Sequence, residues 1–302
     1  MENQDWLILK VLFQTKNITK AAQVLFLSQP ALTHRLRNME EEFGVTIVHR
    51  VSKGVHFTPQ GEYLAKAADI MLLQIRQLKD EVLNMEHEVA GTLRLGSSHV
   101  FTKYRLPGLL KTFKNQYPHV EFKVTTAWSK DVFSLLYNQD IQVGFIRGAS
   151  SWNGEKHLLF EESICIASKE PFNIHQLPQL PRIDYQTDPA IRALIDNWWR
   201  ETFAQPPLIS MDVDRVDICK EMVVNGLGYA FLPDILVHNN DNLQKTVITD
   251  KSGNPILRQT WMIYQKAALE TNIVKAFVAC AKAIDFQSDL LFNPPTQNNK
   301  PL

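Results

Sequence analysis

The stretch Ile18-Thr19-Lys20-Ala21-Ala22, followed by Leu27-Ser28-Gln29-Pro30-Ala31-Leu32-Thr33-His34-Arg35-Leu36-Arg37, decides how the first sixty residues fold. The adjacent alanines let a second helix cross closely, because nothing larger than a methyl group stands in the way. Ser28 has the short hydroxyl of a helix N-cap, and Pro30 falls in the first turn, where its missing N–H costs nothing. The spacing predicts a helix from about Ile18 that buries Ala21, Ala22, Val24 and Leu25, then a tight turn. A third helix follows with Ala31, Leu32, Leu36 and Met39 as its buried stripe, leaving Thr33, His34, Arg35, Arg37 and Asn38 for its other faces. Upstream, Trp6, Leu9, Val11, Leu12 and Phe13 recur at helical spacing. Downstream, residues 44–50 and 54–57 alternate around Ser52-Lys53-Gly54, which predicts a hairpin, or wing.

Charge sharpens this reading. The whole chain of 302 residues balances 32 Lys/Arg against 32 Asp/Glu, yet residues 1–58 hold seven cations against five acids. Between Gln29 and Met39 the only charged groups are Arg35 and Arg37, with His34 beside them. A short helix with cations and no anions suits a polyanionic surface.

Working outward, apolar residues recur at Leu64, Ala68, Met71, Ile75, Leu78, Val82, Met85 and Val89. The intervals alternate four and three, the 3.5-residue period of a coiled-coil seam, so a homodimer through residues 59–89 is expected. Gly91 breaks that helix. Strands are expected at 92–96, 120–126, 142–146, 164–168, 182–185, 208–213, 229–232, 243–249 and 257–264. Helices are expected at 105–115, 130–137, 189–203, 215–225 and 270–284. This is βαβ material, predicting mostly parallel sheets in two α/β lobes, with a cleft at the carboxyl ends of their strands where small ligands bind. The domain scheme is 1–58 for the helix-turn-helix, 59–89 for the linker helix and 90–292 for the lobes. Lobe I takes 90–164 and 265–292, and lobe II takes 165–264. Residues 293–302 have no apolar periodicity and are expected to be a disordered tail.

Hydrophobic residues at 45%, charged residues at 21% and a mean hydropathy of −0.18 describe a soluble globular chain. No apolar run approaches the ~18 residues that span a bilayer, and the acidic N-terminus lacks a signal-peptide layout. Three widely separated cysteines, Cys165, Cys219 and Cys280, indicate neither a disulfide framework nor a metal site. A cytoplasmic protein with no metal or cofactor is expected. No Gly-rich phosphate loop, HExxH or GxSxG appears, and His99, His157 and His175 lie in different segments, so no enzyme is expected.

The helix-turn-helix string resembles that of the LysR-type transcriptional regulators. The likeness continues through Phe57-Thr58-Pro59-Gln60-Gly61-Glu62, Gly91-Thr92-Leu93-Arg94-Leu95-Gly96, Leu106-Pro107 to Tyr117-Pro118, and Val224-Asn225-Gly226-Leu227-Gly228-Tyr229 with Leu232-Pro233. It covers essentially residues 2–290. It implies an α+β / α/β chain: an N-terminal winged helix-turn-helix, a long coiled-coil linker helix and a two-lobed, periplasmic-binding-protein-like effector domain. It further implies double-stranded DNA with an inverted-repeat operator as partner, and a homotetramer. A narrower likeness, to citrate-responsive members that act as repressors, rests on Trp128-Ser129, Leu136-Tyr137, Ile146-Arg147-Gly148 with Trp152, Trp198-Trp199 and Asp214-Arg215-Val216-Asp217.

In that frame the third helix lies in the major groove. Gln29 and Arg35 are the expected base readers, since an amide matches adenine and a guanidinium matches guanine. Ser28, Pro30, Thr33, His34 and Arg37 are expected at the same surface, largely on phosphates, with Arg50 and Lys53 reaching out from the wing. For the effector, Ser97, Ser98, Ser129 and Arg147 fall at strand carboxyl ends of one lobe, and short hydroxyls with a fixed guanidinium make a carboxylate site. Arg258 is expected to add a second cation, as a tricarboxylate such as citrate would require, with Arg192 and Lys220 as weaker candidates. The alternatives are a different organic acid or anion, or redox sensing through Cys165 and Cys219.

Overall fold

The computed structural model describes residues 1–84, 88–148, 152–238, 240 and 242–287. The chain divides into two compact units, Met1–Glu86 and His87–Leu302.

The first unit contains α1 (Asn3–Thr15), α2 (Ile18–Val24), α3 (Gln29–Phe43), the wing strands β1 (Val48–Val51) and β2 (Gly54–Phe57), and α4 (Pro59–Asn84). Short polar side chains start the helices. The Asn17 side chain accepts from the Lys20 amide at 3.0 Å, and the Ser28 hydroxyl accepts from the Ala31 amide at 3.3 Å. Gly44, at φ 66°, ends α3 in the left-handed conformation that favours glycine. Ile8, Leu9, Leu12, Ala21, Ala22, Leu32, Leu36 and Met39 pack with Ile47 and Val55 of the wing and Leu64 and Ala68 of α4. Each large aliphatic side chain buried this way contributes about 1.5–3 kcal/mol.

The junction from wing to α4 is explained by one hydroxyl and one glycine. Thr58 donates to the Thr46 carbonyl at 2.6 Å and accepts from the Gly61 amide at 2.9 Å. A Cβ on Gly61 would lie 2.0 Å from the Ile47 carbonyl oxygen, so no side chain fits there. Glu40 of α3 completes the tie by accepting from the Ile47 amide at 2.7 Å.

Some local expectations fail. Val24 and Ala31 are exposed rather than buried, because α2 ends at Val24 and Ala31 sits on the outer side of the first turn of α3. The wing strand starts at Val48, not at 44. On α4 the expected seam divides: Leu64 and Ala68 turn inward, whereas Leu78 is 61% exposed and Val82 53%. Val89 does not continue the seam; it packs against the second unit's core, and Met85 lies outside the described residues.

The second unit opens with β3 (Gly91–Ser97), α5 (His99–Tyr104), α6 (Leu106–Gln116), β4 (Val120–Thr126), α7 (Ser129–Tyr137) and β5 (Val143–Arg147). It continues through β6 (Glu155–Ser168), β7 (Pro181–Tyr185), α8 (Pro189–Thr202), β8 (Leu208–Val213), α9 (Val216–Val224) and β9 (Ala230–Pro233). It ends with β10 (Gln244–Val247), β11 (Leu257–Tyr264) and α10 (Asn272–Ala283). Strands β10-β6-β11-β5-β3-β4 form one sheet, with β9 also on β6, while β7 and β8 pair separately. The β3–β4, β3–β5 and β7–β8 pairings are parallel, but every pairing of β6 and β11 is antiparallel. The expectation of mostly parallel sheets thus holds only for β3 with its two neighbours and for the β7–β8 pair. The two strands that carry the chain between lobes run against their neighbours.

Strand β6 is the spine of the unit. Its Phe160 packs with Leu93, Leu109, Phe113, Phe145 and Phe277 of the first lobe, and its Cys165 with Ile183, Cys219, Val223 and Leu232 of the second. On the opposite face of the second lobe, Ile166 joins Ile195, Trp198, Trp199 and Phe231. Only 164–168 of this strand were expected from sequence, because residues 155–162 mix charged and apolar side chains without clean alternation. The helix expected at 105–115 is α6, with Pro107 in its first turn, while the short α5 before it was not expected. The expected tail at 293–302 lies outside the described residues.

Candidate functional site

In the first unit, the exposed surface of α3 carries Gln29, Pro30, His34 and Arg37, with Ser28 at its start. On the wing, Arg50 is exposed and its guanidinium donates to the Thr33 hydroxyl at 3.4 Å, while Lys53 stands exposed at the hairpin tip. The wing is set by Gly54, at φ 136°, where a Cβ would meet the Lys16 carbonyl oxygen at 2.3 Å. That close approach lets the Val55 amide donate to the same carbonyl at 2.9 Å.

Arg35 corrects the sequence reading. Its guanidinium donates to Asp5 at 2.8 Å and to Glu2 at 3.1 Å, clamping α3 to the start of α1. Asp5 is itself buried and accepts from the Glu2 amide at 2.7 Å, so the clamp is preorganised. Arg35 is occupied by the fold rather than presented to a base. One exposed group escaped the sequence reading. Phe26, 97% exposed at φ 55°, forms the turn between α2 and α3, where the aromatic carries no helical periodicity to mark it.

In the second unit, the carboxyl ends of β3, β5, β7 and β8 converge on a narrow cleft with a cavity volume of about 50 Å³. Ser98, Ser129, Arg147 and Arg258 line it, as expected. The Ser129 hydroxyl accepts from the Arg147 amide at 3.2 Å, locking the end of β5 to the start of α7. Ser98 is 7% exposed and its buried hydroxyl has no hydrogen-bond partner. The buried Arg147 Nε likewise has none. Burial, then the nearby Arg258 charge, pushes the Arg147 guanidinium down to about 9, with Glu162, Asp188 and Tyr185 pulling the other way. A half-buried guanidinium with an enclosed, unpartnered Nε beside a free hydroxyl has the donors that an anion needs.

One expected member falls away, and another lines the cleft already paired. Ser97 is fully buried, donates to the Ser98 carbonyl at 3.3 Å and does not line the cleft. Arg258, 3% exposed, donates from both Nε and Nη2 to Glu162, at 2.9 and 2.6 Å, so its charge is neutralised within the protein. Arg192 is similarly engaged with Asp184 and the Tyr185 carbonyl, both at 2.8 Å. The second wall, which sequence reading missed, brings Asp188, Asp214, Arg215 and Asp217. Arg215 and Asp217 pair through two hydrogen bonds of 3.0 Å. Burial, then Arg215, lowers the His99 imidazole, which keeps it neutral near pH 7. Cys165 and Cys219 are each pushed up to about 12 by burial, reinforced by Asp234 and Asp184 respectively, and so stay as unreactive thiols. Among the described residues no group of His, Cys, Asp and Glu could hold a metal ion, and no helix is long and apolar enough to cross a membrane.

Comparison with known proteins agrees with both halves. Residues 4–62 match the model of bacterial regulatory helix-turn-helix proteins of the lysR family, and residues 86–284 match the LysR substrate binding domain. The chain is 42% identical over 278 residues to the uncharacterized HTH-type transcriptional regulator YraN of Bacillus subtilis (strain 168), covering 92% of this chain and 96% of that one. It is 33% identical over 284 residues to YkuM, an uncharacterized HTH-type transcriptional regulator of the same organism, covering 93% and 97%. Full-length CbnR in complex with its target DNA has the same fold, with a TM-score of 0.66 and 17% identity over 93% of this chain and 99% of that one.

Proposed function

Since the chain belongs to the LysR family of transcriptional regulators, we propose that it binds an operator through α3 and the wing, and that a small anionic metabolite held by Arg147 modulates that binding. It is a regulator with an effector-binding domain and not an enzyme. The observation that carries the effector reading is the half-buried Arg147 guanidinium, its Nε enclosed and unpartnered, lining a cleft with the unpartnered Ser98 hydroxyl. On DNA, Gln29 reads a base edge, while Ser28, Pro30, Thr33, His34 and Arg37 of the helix and Arg50 and Lys53 of the wing hold the backbone. The exposed apolar residues of α4 support pairing of two chains through that helix, and two such dimers would span an inverted repeat.

Citrate, the effector expected from sequence, is poorly served by this cleft. A tricarboxylate wants at least two free cations, yet Arg258 belongs to Glu162 and Arg215 to Asp217. The test is thermal unfolding of the purified protein with citrate, succinate, acetate and sulfate at matched ionic strength, in wild type and Arg147→Gln. A true ligand at a hundredfold excess over its Kd adds ~2.7 kcal/mol, and the gain should vanish in Arg147→Gln. An undiminished gain in that variant would remove Arg147 from the site.

A further inference from the structure

The charges lining the cleft do not cancel evenly. Of the cations, Arg258 is taken by Glu162 and Arg215 by Asp217, which leaves Arg147. Of the carboxylates, Asp217 is taken, which leaves the half-buried Asp188 and the exposed Asp214, neither side chain hydrogen-bonded or ion-paired among the described residues. The remainder is also sorted by wall. Arg147, Ser98 and Ser129 stand at the ends of β5 and β3 and the start of α7, in the first lobe. Asp188 immediately precedes α8, and Asp214 lies two residues before α9, in the second lobe. Helix N-termini ordinarily receive anions. Here Asp188 does not cap its own helix through its side chain, so the carboxylate is left at that end facing the cleft.

We propose, resting on the effector reading above, that the ligand of this cleft is a small zwitterion, its carboxylate on Arg147, Ser98 and Ser129 and its ammonium against Asp188 and Asp214. A dicarboxylate would set its second anion against two unpaired acids, and a diamine would set a cation on Arg147. Only a molecule with opposite charges at its two ends satisfies both walls. It also bridges the lobes, so its occupancy favours one lobe arrangement over others, as a regulatory ligand must.

The test is calorimetric titration of the full-length protein with the twenty α-amino acids and with ω-amino acids of three to six carbons. Each is run beside its des-amino acid and its decarboxylated amine. At least one zwitterion should bind tenfold or more tightly than both of its truncated partners, and Arg147→Gln should abolish that binding. The double variant Asp188→Asn, Asp214→Asn should reduce the zwitterion to the level of its des-amino acid and strengthen binding of succinate or glutarate. Failure of every zwitterion to bind would overturn the proposal. So would a di- or tricarboxylate that binds wild type more tightly than all zwitterions, though Arg147 dependence would then keep the anion site standing. An equal change for all carboxylates in the double variant would show the two acids merely balancing Arg147, and would overturn it too.

Discussion

The two walls of the cleft share one architectural device and differ in what they put on it. Each wall presents strand carboxyl ends and a helix start, the arrangement that makes α/β clefts bind ligands. Among the described residues, the first carries the unpartnered Ser98 hydroxyl and an Arg147 Nε without a partner; the second carries two carboxylates with none. The two arginines closest to the first wall make the same point at shorter range. Arg147 and Arg258 sit on the paired strands β5 and β11, the first half-buried and the second buried, yet Arg258 has Glu162 and Arg147 has no acid within bonding distance among the described residues. Position in the fold determines where a ligand can bind. Which ligand binds depends on the charge left over once internal pairs are made.

The sharpest way to break this comparison is to unpair Arg258. Glu162→Ala should leave it as a stranded buried charge and cost about 3–5 kcal/mol, read as a fall in Tm of roughly 10 °C. A loss below about 1 kcal/mol would mean that Arg258 is already solvated and that the two arginines do not differ. The converse change should be favourable. Arg147→Met removes a half-buried guanidinium with an unpartnered Nε and should raise stability by about 1–3 kcal/mol while ending the effector response. A matching pH dependence follows. Burial holds the Arg147 guanidinium at about 9 in the fold, well below its ordinary value, so the unfolded chain holds the proton more tightly. The cost is fully present below about pH 9 and is relieved as pH rises beyond it. The stability gap between Arg147→Met and wild type should therefore narrow above pH 9, by denaturant titration at stepped pH.

Smaller effects sharpen the contrast. Ser98→Ala should change free-protein stability by less than about 0.5 kcal/mol, because the hydroxyl has no partner to lose, while weakening a bound carboxylate about fivefold by calorimetry. In the first unit, Arg35→Ala should lower Tm and leave base preference intact. Arg37→Ala should instead weaken DNA binding uniformly and lower the salt slope by about 1.

What could be read from sequence follows from the range of the interactions involved. Ser28, Pro30, Ala21 and Ala22 act within one or two helical turns, so the helix-turn-helix was legible. Arg35 was misread because its acids, Glu2 and Asp5, lie 30 or more positions away and meet it only after α1 and α3 cross. Arg258 lines the cleft as expected, but its pairing was hidden for the same reason: Glu162 is 96 positions distant and arrives through the antiparallel β6–β11 pairing. Arg147 was legible because a guanidinium at the end of a buried apolar strand has few other roles. Asp188 and Asp214 lie in separate connections of ordinary composition, and only the convergence of β7 and β8 makes them one wall.

The central claim is that Arg147 couples a bound small molecule to DNA. The most direct measurement is operator affinity by fluorescence anisotropy, across increasing concentrations of the tightest calorimetric ligand, in wild type and Arg147→Gln. The account predicts that both proteins bind DNA equally without ligand and that only wild type changes affinity as ligand is added. The same ligand-driven shift in both would contradict it.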